Sequence, residues 1–202
     1  MARSVSGGST YPVPAVPRQI VAREEVRPTW SSLHNLDGSI PPRTLEAMHV
    51  ASQRLSASGV RHALVGGLAV GVHGWPRGTK DVDFLIGREG YDETPAGLVT
   101  LKPEVLAATA NAEVRVDVIV PDPDEGFLDR ALDDALVSDG VPVISIEALV
   151  YMKLRAARPR DFGDVGELAT GNLPFDSIRA YLQAHAPLLL PRFDAVVAAA
   201  RR

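Results

Sequence analysis

The stretch that most constrains this chain runs from Lys80 to Ile86, where Asp81 and Asp83 sit one residue apart as an apolar run begins. It lies fourteen residues beyond Gly66-Gly67. Successive side chains of a β-strand point to opposite faces, so Asp81 and Asp83 share a face while Val82 and Phe84 take the other. A later run, Glu113 to Val120, repeats the pattern: Val114, Val116, Val118 and Val120 line one face, and Arg115 and Asp117 the other. If the two strands are neighbours, three carboxylates converge. Like charges ~4 Å apart repel by roughly 4 kcal/mol at an effective dielectric of about 20, so such a cluster needs protons or cations. Magnesium, a hard ion held by a few carboxylates together with substrate phosphates, suits it.

The 202 residues suffice for one domain with a sizeable core, or a domain with a small helical appendage. A net charge of −4 rules out a general basic footprint for nucleic acid, so any RNA contact is expected to be a local patch, and no DNA partner is expected. The absence of cysteine excludes disulfides and thiol chemistry. Prolines and charges interrupt residues 11–28, which argues against a secretory signal. The longest apolar run, Ala63 to Val72, contains three glycines and is too short to cross a bilayer. A cytoplasmic protein with no membrane partner is the expectation.

Residues 1–41 are rich in Gly, Ser and Pro without periodicity, which predicts a flexible N-terminal arm or a loosely docked tail. Pro41-Pro42 precedes Leu45, Met48, Ala51 and Leu55, whose spacing predicts an amphipathic helix over 42–57, ended by Ser58-Gly59. Strands follow at Val60–Val65, Lys80–Ile86 and Glu113–Val120, with a short helix over Leu68–Val72 and a loop at Gly74–Gly78. The region Tyr91–Asn111 reads ambiguously, with a helix around 103–111. A helix over Phe127–Leu136 and a short strand over Pro142–Ile144 complete a core spanning 42–145. Ser145 then caps a helix over Ile146–Ala157, and further helices at 161–169, 175–185 and 190–201 make residues 146–202 a helical C-terminal part.

These residues resemble the nucleotidyltransferase superfamily that includes DNA polymerase β. The shared pattern is a glycine pair, an Asp-x-Asp about a dozen residues on, and a third Asp on an adjacent strand. The stretch Gly66-Gly67-Leu-Ala-Val-Gly-Val-His73-Gly74-Trp-Pro-Arg77-Gly-Thr79-Lys-Asp81-Val-Asp83 is similar to stand-alone bacterial nucleotidyltransferases related to type IV toxin–antitoxin (abortive-infection) toxins. So is the later helix with Lys153 and its trailing Arg160-Asp161-Phe-Gly-Asp164. The resemblance covers roughly residues 45–170. It implies an α/β (α+β) nucleotidyltransferase fold, a small mixed sheet flanked by helices, with a helical C-terminal part. It implies transfer of a nucleoside monophosphate from an NTP such as ATP to an acceptor hydroxyl, with release of pyrophosphate. The acceptor would be RNA or protein in a toxin-like setting, where an antitoxin is a further partner, or a small molecule such as an antibiotic. The rival from another class is a non-catalytic nucleotide- or partner-binding module with the same fold.

The resemblance assigns Asp81 and Asp83 to two Mg2+ ions (Mn2+ as an alternative), and Asp117 to the catalytic ion and to deprotonation of the acceptor. Lys153 would contact the triphosphate as a point charge. Gly66 and Gly67, lacking Cβ atoms, suit the β- and γ-phosphates. Gly67 stands where the wider superfamily has Ser, so backbone amides must serve there. Arg77, Thr79 and Lys80 either steady phosphate or form a solvated loop. Asp161 and Asp164 are read as structural partners of Arg158 or Arg160, and His73 as a packing residue. Trp75 is either a base-stacking platform or a core anchor.

Overall fold

The computed structural model describes residues 32–202. A five-stranded mixed sheet forms its centre, built from β1 (His62–Leu64), β2 (Val82–Ile86), β5 (Val116–Ile119), β6 (Leu136–Ser138) and β7 (Val141–Val143) in the order β5-β2-β1-β7-β6. β2 runs antiparallel to β1 and parallel to β5, while β7 is parallel to β1 and antiparallel to β6. Helices cover both faces. α1 (Pro42–Ala57) and α3 (Pro103–Thr109) lie on one side, α2 (Gly66–Val72) and α5 (Ile146–Ala156) on the other. Coverage on both faces is why β1 and β2 read as nearly continuous apolar runs.

The remaining helices, α6 (Pro159–Thr170), α7 (Phe175–His185) and α8 (Leu190–Ala200), pack beside α5. Their bounds follow local chemistry. Proline at the first helical position opens α1, α3 and α6, where its missing N–H costs nothing. Ser145 caps α5 by accepting the Ala148 N–H, as the sequence predicts. Gly59, at φ +70°, takes the chain out of α1.

Three expectations need correction. Residues 32–41 do not belong to a flexible arm: Leu33, Leu36 and Ile40 are buried in the core, and the turn Leu33–Leu36 packs on α2. Residues 1–31 lie outside the described residues. The Tyr91–Asn111 region contains, besides α3, a hairpin of β3 (Tyr91–Glu93) and β4 (Val99–Leu101). Its strands are too short and polar to show alternation. The helix expected over 127–136 is α4 (Gly126–Ala131); the chain turns over 132–134, and Leu136 begins β6. Asp139 and Gly140, both at positive φ, turn the chain from β6 into β7.

Candidate active site

The parallel pairing of β2 with β5 sets Asp83 directly beside Asp117. In-register neighbours on parallel strands project to the same face, here the one covered by α2 and α5. Asp81 immediately precedes β2 and is exposed. Burial pushes the Asp83 carboxyl above its ordinary range, and Asp117 and Asp81 push it the same way against the pull of Lys153 and Arg158. The repulsion inferred from sequence is therefore present. Arg115 relieves part of it by donating from Nε to Asp117 Oδ1 at 2.8 Å. Among the described residues no three carboxylate or imidazole side chains are already gathered into a cage for a metal ion. The donor set, carboxylate oxygens on adjacent strands, nonetheless has the hardness that magnesium prefers.

Gly66 opens α2 at φ +65° and stands against the Asp83 side chain: a Cβ built there would lie 2.6 Å from Asp83 Cγ. Glycine is thus required twice, by the left-handed backbone and by the carboxylate. Gly67 faces Thr79 and Arg77, since a Cβ there would lie 3.2 Å from Thr79 Oγ1 and 3.3 Å from the Arg77 guanidinium nitrogens. The site that a serine side chain would fill is taken by these two residues. Lys80 is exposed in the loop before Asp81.

Arg77 turns away to ion-pair with Asp164 through Nε (2.6 Å) and Nη2 (2.8 Å). Lys153, buried on α5, donates to Asp164 Oδ2 at 2.8 Å and to Asp161 Oδ1 at 3.0 Å. Arg158, at the start of α6, donates to Asp161 Oδ2 at 2.7 Å. Five side chains form one line of alternating charge, which sequence reasoning saw only as separate pairs. Its signal was the spacing of Lys153, Arg158, Asp161 and Asp164, which brings an α5 lysine and α6 carboxylates together once the Arg158-Pro159 break folds one helix onto the other. Arg160 reaches the Gly78 carbonyl instead of either carboxylate. His73 is buried, with Nε2 2.8 Å from the Ile144 carbonyl oxygen, as expected of a packing residue. Trp75 is partly exposed and does not anchor the core.

A cavity of about 400 Å³ opens beside this line. One end presents Gly66, Lys153, Arg158 and Asp161; its walls are apolar, with Val120, Leu128, Leu149 and Met152 among them. At the far end Arg155 joins Asp122 and Glu125, and Glu125 accepts the Tyr151 hydroxyl. Apolar walls with a cationic mouth suit a ligand with an apolar body and an anionic end. Among the described residues no helix is long and apolar enough to cross a membrane.

No protein-family model and no curated protein matches the chain. Among solved structures it is similar to an antigenic nucleotidyltransferase-like protein from Paracoccidioides brasiliensis, at 18% identity and a TM-score of 0.38. That match covers 79% of this chain and 94% of the other. A likeness so slight leaves the functional assignment to the site itself.

Proposed function

We propose that this protein is a nucleotidyltransferase that moves a nucleoside monophosphate from an NTP to an acceptor hydroxyl and releases pyrophosphate. The observation that carries the reading is the in-register pair Asp83–Asp117, backed by the bare Cα of Gly66 and set near a cavity with a cationic mouth. A binding module gains nothing from seating the buried Asp83 carboxyl beside Asp117, where its ionised form is disfavoured.

In this reading Gly66, which lines the cavity, offers its backbone to the β- and γ-phosphates, with Gly67 packed behind it against Arg77 and Thr79. Thr79 and Lys80 lie on the loop between the glycine pair and the aspartates. Asp117 accepts the proton of the acceptor hydroxyl on Oδ2, its other oxygen being held by Arg115. The hydroxyl oxygen then attacks the α-phosphorus as the bond to pyrophosphate breaks. Asp81, Asp83 and Asp117 would hold magnesium, which neutralises charge on the transferring phosphoryl group and the leaving pyrophosphate. The toxin-like setting, with RNA or protein as acceptor, rests on the sequence resemblance.

The test is a thermal-shift titration with each NTP. The triphosphate is expected to raise the melting temperature only with magnesium present, and Asp83→Asn is expected to remove that dependence. A shift of equal size in EDTA would point to a nucleotide-binding module and against a transferase.

A further inference from the structure

Lys153 is the cation that the family resemblance assigns to the triphosphate, yet it is poorly placed to serve. Its side chain is only 8% exposed, and two of its three ammonium N–H groups are committed to Asp161 and Asp164. At the other end of the line Arg77, 20% exposed, spends Nε and Nη2 on Asp164. Its remaining nitrogen is buried without a partner, facing Gly67 and away from solvent.

Arg158 differs on each count. Its side chain is 73% exposed and lines the cavity beside Gly66. Only Nε makes a close bond to Asp161, while Nη2 lies 3.4 Å from the other carboxylate oxygen. The alternating line Arg77–Asp164–Lys153–Asp161–Arg158 holds three cations against two carboxylates, an excess of one positive charge. Lys153 is enclosed and Arg77 is bound along a full edge, so the excess is displayed at Arg158. A guanidinium with its terminal nitrogens largely unspent is matched in shape and charge to phosphate oxygens.

We propose that Arg158, and not Lys153, is the side chain that binds the polyphosphate of the nucleotide. Asp161 is the positioning residue that aims it, anchored from behind by Lys153. This rests on the nucleotidyltransferase reading and names the phosphate-binding group within that site.

The experiment is isothermal titration calorimetry, in magnesium, of wild type, Arg158→Gln and Arg158→Lys with each of the four NTPs and its monophosphate. Arg158→Gln removes a partner of buried Asp161 as well as an exposed charge, so without ligand its melting temperature is expected to fall by a few degrees, and the ratio of triphosphate to monophosphate affinity in the same variant separates phosphate binding from this loss. Affinity for the preferred triphosphate is expected to fall about tenfold and that for the monophosphate by less than about threefold, with Arg158→Lys restoring part of the loss. A residue that merely stabilised the fold would weaken both nucleotides alike. An unchanged ratio of triphosphate to monophosphate affinity in Arg158→Gln would overturn the assignment while leaving the nucleotidyltransferase reading standing. Wild type that binds none of the NTPs would overturn both.

Discussion

Substituting Lys153 by Met keeps the length of the side chain and removes its charge, which isolates what the ammonium does for Asp161 and Asp164. Breaking a buried ion pair by removing one partner costs about 3–5 kcal/mol, because the other charge is left without compensation. Here each carboxylate keeps a second cation, Arg158 for Asp161 and Arg77 for Asp164. A penalty of about 2–3 kcal/mol is therefore expected. For a chain of this size that is a drop of roughly 5–10 °C in melting temperature. The penalty should depend on pH. Burial pushes both carboxyls up, but hydrogen bonds from Arg158 and Lys153 on Asp161, and from Arg77 and Lys153 on Asp164, outweigh it and hold them below the ordinary range. A carboxylate held low contributes stability above its unfolded value, about 3.9, and loses it as pH falls through the lower folded value. Removing Lys153 deletes part of that contribution, so the gap between variant and wild type should be widest near neutrality and narrow below about pH 4. Urea unfolding at about pH 7 and about pH 3.5 measures both quantities. A penalty under about 1 kcal/mol at neutral pH, or one that does not shrink in acid, would refute the view of Lys153 as the centre of a buried ion line.

Asp83→Asn should raise the melting temperature at neutral pH, because burial and Asp117 disfavour the ionised Asp83 in the fold. A carboxyl raised by folding costs stability above its unfolded value, so the gain should disappear by about pH 3, which a thermal-shift series across pH would check. Gly66→Ala places a methyl against the Asp83 carboxylate at a positive φ, and a loss of at least about 2 kcal/mol is expected in urea unfolding. Gly67→Ala meets only the ends of the Arg77 and Thr79 side chains and should cost less than Gly66→Ala in the same assay. Leu36→Ala should cost about 2–5 kcal/mol, since the side chain is fully buried; a chain starting at Pro41 should melt well below one starting at Ser32.

The face carrying Asp83 and Asp117 was the most legible part of the sequence because strand alternation is a local rule. Asp83 and Asp117 could be assigned to one face each before any pairing was known, and the β2–β5 register then brings them side by side. The C-terminal helices were legible through Ser145, Pro159 and the apolar spacing that follows. What could not be read is what depends on tertiary encounter. Leu33, Leu36 and Ile40 lie in a stretch with no helical period, and only the surface offered by α2 makes them core. The hairpin of β3 and β4 carries no alternation because most of it is exposed. Lys153 stands among apolar neighbours in sequence; its burial between two aspartates follows from the fold of α6 onto α5. The glycine at position 67, read as a missing hydroxyl, is the space that Arg77 and Thr79 occupy.

Asp83 and Asp117 are proposed as the working face of a nucleotidyl-transfer centre. The most direct test follows radiolabel from NTPs carrying phosphorus-32 at either the α- or the γ-position, incubated with the protein, magnesium and total RNA. Wild type is expected to move the α-label onto an acceptor while the γ-label leaves as pyrophosphate, and Asp83→Asn and Asp117→Asn are each expected to abolish the transfer while remaining folded. Transfer of the γ-label, or α-label transfer at the wild-type rate in either variant, would contradict the account.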